Sequence, residues 1–138
     1  MDHRLRVLFV CTTNAALSQM AEALLRHADP EHFEAYSAGI APTAIDPRAL
    51  AALQEIDIDD PALRSKSVDE FTGVPFDYII TLSEDPAQTF PVLNDVSEVL
   101  AWHFEDPVTS EKSNPFRNAR IEISERVKIF VLVKLKKT

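Results

Sequence analysis

The sequence predicts an α/β protein, built as a small open parallel four-stranded sheet with helices on both faces. Three observations carry this. Short apolar runs alternate along the chain with stretches of helical period. The run Val7-Leu8-Phe9-Val10 is continuously apolar, as a strand covered on both faces must be. Asp46-Pro47 and Asn114-Pro115 both stand where a helix should begin, with a capping side chain followed by a proline at the first helical position. The 138 residues suffice for one domain, 1–138, with a sizeable core, and are too few for two.

Taken in order, Arg4 to Val10 reads as the first strand. Ser18 to His27 follows as a helix, with Met20, Ala21, Leu24, Leu25 and Ala28 on one broad apolar face. Phe33 to Ile40 is a second, partly alternating strand, and Gly39 suggests a tight turn at its end. The segment IDPRALAALQEI carries the second helix. Phe76 to Leu82 and Glu98 to Trp102 are the third and fourth strands, with a short helix expected over Asp85 to Thr89 between them. Phe116, Ala119, Ile123, Val127 and Phe130 keep the register of a last helix. The tail 129–138 is atypical, because Ile129 to Val133 is apolar throughout and rich in β-branched residues. It reads either as a final helix whose extra face packs locally, or as a late strand or self-association surface that would make a homodimer.

Hydrophobic content of 46% and charged content of 26% are ordinary for a soluble globular protein. The single cysteine excludes a disulfide framework and any internal redox pair. No apolar run resembles a secretory leader or approaches the roughly eighteen residues of a membrane span, so a cytoplasmic location is expected. The formal net charge is −8 and unevenly spread: residues 1–120 carry 9 basic and 20 acidic side chains, residues 121–138 carry 5 and 2. An acidic body repels a phosphate backbone, so neither nucleic acid nor membrane is expected as a partner. His3, His27, His32 and His103 make no metal-ligand pattern with acidic neighbours, and no metal or other cofactor is expected.

In open parallel sheets ligands bind beyond the carboxyl ends of the strands, near the point where strand order reverses. Cys11 is expected just past the first strand's carboxyl end, where it opens the stretch CTTNAALSQMAEALLR. Amides and the positive end of a helix hold an oxyanion, and a sulfur nucleophile placed there can attack a tetrahedral centre such as phosphorus. From position alone, a small core residue is the alternative reading of the same cysteine.

The segment LRVLFVCTTNAALSQMAEALL resembles the opening of the low-molecular-weight protein tyrosine phosphatase family, and especially its thioredoxin-coupled arsenate reductase branch. SAGIAPTAIDPRALAALQEIDID, LRSKSVDEF, FDYIITLSEDPAQTFP and WHFEDPVTS are similar to later segments of the same proteins, in the same order. The resemblance implies that family's fold and a phosphate loop of cysteine, five residues, arginine, then serine or threonine. Cys11 falls at the nucleophile, Ser18 at the closing hydroxyl and Asp106 at the general acid. Thr12, Thr13, Asn14, Ala15, Ala16 and Leu17 form the anion-binding loop, with Asn14 at its bracing asparagine, and a small oxyanion or phosphorylated ligand is the implied partner.

The departures fall where the chemistry is. Leu17 stands where the family has its anion-clamping arginine, Ala16 at the arsenate reductases' second loop cysteine and Ala15 at the loop serine. Ser83 and Phe90 occupy the positions of their later redox cysteines. A thiol relay needs two thiols, so an arsenate reductase working through its own cysteines is excluded. The expectation is a phosphatase- or arsenate reductase-like protein, weakly active or inactive. The alternatives are a silent anion-binding or protein-interaction module, and a phosphate-monoester hydrolase using Cys11 and Asp106. Arg64, Arg117 and Arg120 are the candidates for replacing the lost guanidinium.

Overall fold

Four parallel strands form one sheet in the order β2-β1-β3-β4, with β1 over Leu5–Cys11, β2 over Phe33–Gly39, β3 over Phe76–Ser83 and β4 over Val96–His103. The structure is a computed structural model and describes residues 4–71, 73–83, 96–105 and 107–135. The chain steps outward from β1 to β2, then returns across β1 to β3, so the order reverses beside β1. The ends of β1 and β3 therefore diverge into a crevice, and Cys11 is at its edge. Cys11 is the last residue of β1, paired with Gly39, rather than the first residue beyond the strand.

Strand β1 is buried from Val7 to Cys11 because its two faces serve two cores. Val7, Phe9 and Cys11 join the larger cluster, which also takes side chains from the helices α1 (Leu17–Ala28), α2 (Pro47–Gln54) and α3 (Pro115–Leu135). Leu8 and Val10 join a smaller cluster with Val68, Phe76 and Ile79, under a 3-10 turn at Val68–Phe71 that the sequence reading missed. One turn of helix has too few residues to show a period. The helix expected over Asp85 to Thr89 lies outside the described residues.

Helix α2 starts as its sequence requires: the Asp46 carboxylate accepts the Arg48 N–H at 2.9 Å and Pro47 takes the first helical position. Helix α3 starts at Pro115, and Asn114 before it adopts a left-handed φ of 51°, which asparagine tolerates. It then runs unbroken through Ile129 to Val133, so the late-strand reading of the tail is overturned. Strand propensity loses to packing here. Phe130 stacks against Phe33, Tyr78 and Trp102 at centroid distances of 5.6, 5.2 and 6.1 Å. One turn on, Lys134 lies over the Tyr78 ring at 4.9 Å and pairs with Glu98 at 3.2 Å. These anchors keep the helical register to its end. Among the described residues, no helix is long and apolar enough to cross a membrane.

Candidate active site

The loop between β1 and α1 is shaped by its carbonyls. Ile40, Ala41, Thr43 and Asp46 donate backbone N–H groups to the carbonyls of Cys11, Thr12, Thr13 and Ala15, at 3.3, 2.8, 2.9 and 2.9 Å. Gln19 Nε2 donates to the Asn14 carbonyl at 2.9 Å, and the Met20 N–H to that of Ala16 at 3.0 Å. Every carbonyl from Cys11 to Ala16 is thus claimed by a donor. No side chain caps α1, whose first-turn amides have no intrahelical acceptor. With oxygens tied down and amides left over, the loop has the polarity of an anion cradle.

Asn14 holds the loop in this shape. Its φ of 53° turns the chain sharply, and its side chain is fully buried. Oδ1 accepts the Lys66 N–H at 2.8 Å, which identifies Nδ2 as the donor. Nδ2 donates to Ser18 Oγ at 2.8 Å and to Ser37 Oγ at 3.0 Å. Each hydroxyl, having accepted from Asn14, keeps its own hydrogen. Ser37 gives its hydrogen to Glu22 at 2.5 Å, and Ser18 Oγ lies 2.8 Å from Cys11 Sγ. The Asn14 N–H also donates to Cys11 Sγ, at 3.1 Å. The sulfur is therefore held by the two residues that resemblance placed at the brace and the closing hydroxyl.

Behind them lies a buried charged pair that sequence reasoning missed. Glu22 accepts from Lys66 Nζ at 3.4 Å and from Arg26 at 2.5 Å, and Arg26 bridges on to Asp60. Burial pulls the Lys66 ammonium below the usual lysine range, and Glu22 offsets part of that. Glu22 lies off the face that carries Met20, Ala21, Leu24 and Leu25, and it is buried because α1 is covered on every side from Leu17 to Leu25. Neither Glu22 nor Lys66 signals the pairing in the sequence, since only the tertiary fold brings residues 22 and 66 together.

Gly39 explains how closely β2 approaches this loop. A β-carbon there would lie 2.9 Å from Asn14 Cβ, Asn14 N and Thr12 O. The requirement is close approach of backbone, and the tight turn expected from sequence is not the reason for this glycine.

A cavity of about 700 Å³ opens in front of the loop, walled by Cys11, Thr12, Thr13, Ala15, Ala16, Leu17, the segment Thr43–Arg48 and Val108. Leu17, the first residue of α1, is among these lining residues, is only 6% exposed and belongs to the core cluster, and its side chain has no donor to offer an anion. Asp106 lies outside the described residues, as does Phe90. Three arginines named as possible substitutes for the guanidinium are engaged elsewhere: Arg64 pairs with Glu70 at 2.7 Å, and Arg117 and Arg120 pair with Glu55 at 2.8 and 2.9 Å. The arginine that does line the cavity is Arg48, which sequence reasoning passed over. It makes a two-pronged pair with Asp46, at 3.0 and 2.8 Å, and lies 4.6 Å over the Phe116 ring. That pair holds the Asp46 carboxyl below its ordinary range. His32 is bonded to Asp29 at 2.9 Å, and among the described residues no cluster of His, Cys, Asp or Glu could hold a metal ion.

An open parallel sheet flanked by helices, with a cysteine beside the point where strand order reverses and a loop whose carbonyls are all bonded, defines a phosphatase-type α/β fold. The chain belongs to the low molecular weight phosphotyrosine protein phosphatase family, whose model matches residues 6–138. Within it the chain is closely related to the arsenate reductase branch. It is 34% identical over 124 residues to arsenate reductase 2 of Staphylococcus saprophyticus, covering 90% of this chain and 94% of that protein. It is 33% identical to an arsenate reductase of Oceanobacillus iheyensis, covering 90% and 93%. Among solved structures, an arsenate reductase in the phosphate binding state superposes with a TM-score of 0.81 at 27% identity, over 93% of this chain and 97% of that one. The arsenate reductase of Archaeoglobus fulgidus gives 0.76 at 33% identity, over 91% and 98%.

Proposed function

We propose that this protein retains the family's anion pocket but turns over phosphate esters weakly or not at all. The observation that carries this is Leu17, buried in the cavity wall beside Cys11. A guanidinium at that point supplies two parallel charge-assisted hydrogen bonds and a fixed charge. At roughly 1.5–3 kcal/mol each, their absence costs on the order of 3–6 kcal/mol in the transition state, or about 10²- to 10⁴-fold in rate. Leucine also presents apolar surface where a dianion would shed water. Arg48 offsets little of this, because its charge is already matched by Asp46.

In this reading Cys11 is the residual nucleophile, Ser18 holds the sulfur and Asp106 is the general acid. The amides of Thr12 to Leu17 give a small oxyanion or phosphorylated ligand a weak site. A single free thiol suits the reducing cytoplasm, where this reading places the protein.

Hydrolysis of a small aryl phosphate by the wild type, C11S and L17R tests the reading, with phosphate binding followed by calorimetry. Wild type within about tenfold of C11S is expected, with L17R raising both phosphate affinity and Cys11-dependent turnover. If the wild type hydrolyses the ester more than about a hundredfold faster than C11S, Leu17 is not the disabling change.

A further inference from the structure

We propose that α3 is a self-docking surface, on which the α3 of a second copy of this chain lies antiparallel. Helix α3 buries Phe116, Ala119, Ile123, Val127 and Phe130 in the core it shares with α1, α2 and the sheet, yet its exposed side carries apolar residues among its charged ones. Ile121, Ile129, Leu132 and Val133 are 45, 58, 62 and 45% exposed. A helix needs one apolar face to join its own core, and these four apolar residues lie outside it.

The order of residues on that second face names the occupant. Ile121, Glu125, Lys128 and Leu132 are all exposed and spaced by four, three and four, which is one seam along an α-helix. Read in reverse, apolar, acidic, basic, apolar becomes apolar, basic, acidic, apolar. A two-fold axis between Glu125 and Lys128 therefore sets Ile121 against Leu132 and Glu125 against Lys128 of the other copy, each contact occurring twice. A parallel pairing would set glutamate on glutamate and lysine on lysine, so the same four residues select the antiparallel arrangement. Among the described residues the ion pairs near this face are Lys112–Glu105, Arg117–Glu55, Arg120–Glu55 and Lys134–Glu98, and none of them uses Glu125 or Lys128.

The surroundings fit the same occupant. A groove of about 670 Å³ runs beside the seam, with Phe104, Pro107, Ala119, Ile121 and Ile129 as its apolar lining. Its charged lining is mixed, with Glu105, Glu122 and Glu125 beside Lys112 and Arg126, and Lys112 pairs with Glu105 at 3.4 Å. Antiparallel docking lays Leu132 and Val133 of one copy along the apolar side of this groove in the other, beside Ile121. One helix pair buries a modest area, so the dimer belongs to the weak class, with half-association at about 10–100 µM.

Sedimentation of the full chain in reducing buffer tests this, the reductant keeping Cys11 from cross-linking copies. The apparent mass is expected to climb from 15.5 kDa toward twice that value as concentration rises through this range. E125K alone and K128E alone should each associate about tenfold more weakly, since both ion pairs become repulsions. An equimolar mixture of the two should associate again, as should the double variant E125K/K128E. I121S/L132S should stay monomeric with an unchanged circular dichroism spectrum. A mass of 15.5 kDa at every concentration, or single variants that associate as the wild type does, would overturn the proposal.

Discussion

Replacing Asn14 by alanine tests how the pocket is held together. Three hydrogen bonds leave with the side chain: from Nδ2 to Ser18 Oγ and Ser37 Oγ, and from the Lys66 N–H to Oδ1, at 2.8, 3.0 and 2.8 Å. At about 1 kcal/mol net each they account for roughly 3 kcal/mol. The Lys66 N–H, in a buried residue, then has no acceptor, which costs about 1–3 kcal/mol more. Alanine also pays about 1 kcal/mol for the left-handed backbone that asparagine tolerates. The sum is roughly 5–7 kcal/mol, a large part of a typical total of about 5–15. Urea unfolding followed through Trp102, the single tryptophan and a buried one, reports it directly. With a slope near 1–3 kcal/mol per molar, the midpoint should fall by about 2 M or more. N14G relieves the backbone strain without restoring a bond, so it should lie about 1 kcal/mol above N14A and still well below the wild type. A loss under about 1 kcal/mol in N14A would refute the claim that this side chain braces the loop.

Two further outcomes follow from the same geometry. G39A must push Asn14 or the Thr12 carbonyl away from 2.9 Å and should cost about 1–3 kcal/mol by urea unfolding; a cost below about 0.5 would mean the loop yields freely. The Arg117 guanidinium, joined by a hydrogen bond and charge from Arg120 and opposed by desolvation, holds the Glu55 carboxyl at about 2 instead of 4.5. Because the folded value is the lower one, the stabilisation is complete above 4.5 and disappears as pH falls toward about 2. In E55Q the melting temperature should fall less steeply across that window than in the wild type. Parallel profiles would show that this exposed carboxylate contributes nothing measurable.

Much of the fold was legible because its signals are local. The apolar run of β1, the Asp46-Pro47 and Asn114-Pro115 starts and the 3.6-residue register of α3 each report on a few neighbouring side chains. The short 3-10 turn at Val68–Phe71 gave no period to read. At the site, Cys11, Asn14, Ser18 and Leu17 could be marked because resemblance aligns one contiguous loop. Ser37, Lys66 and Arg48 could not, since each reaches the loop from a distant segment. Their partners depend on crossovers that bring β2, the segment after α2 and the start of α2 to one edge of the sheet.

By itself, then, the sequence determined where the described strands and the three α-helices lie, and that a single thiol at the end of the first apolar run precedes the loop into α1. Those properties are covalent or local and do not depend on where the rest of the chain goes. Only the tertiary structure decided what surrounds that loop: carbonyls tied down by residues 40–46, a Glu22–Lys66 pair buried behind Asn14, and an arginine at the mouth already matched by Asp46. It also decided that the apolar tail is helix, because Phe130 and Lys134 meet the aromatic side chains of the sheet one turn apart. Hydrogen bonds and desolvation act through distances of a few ångströms, and those distances exist only once the chain has folded back on itself.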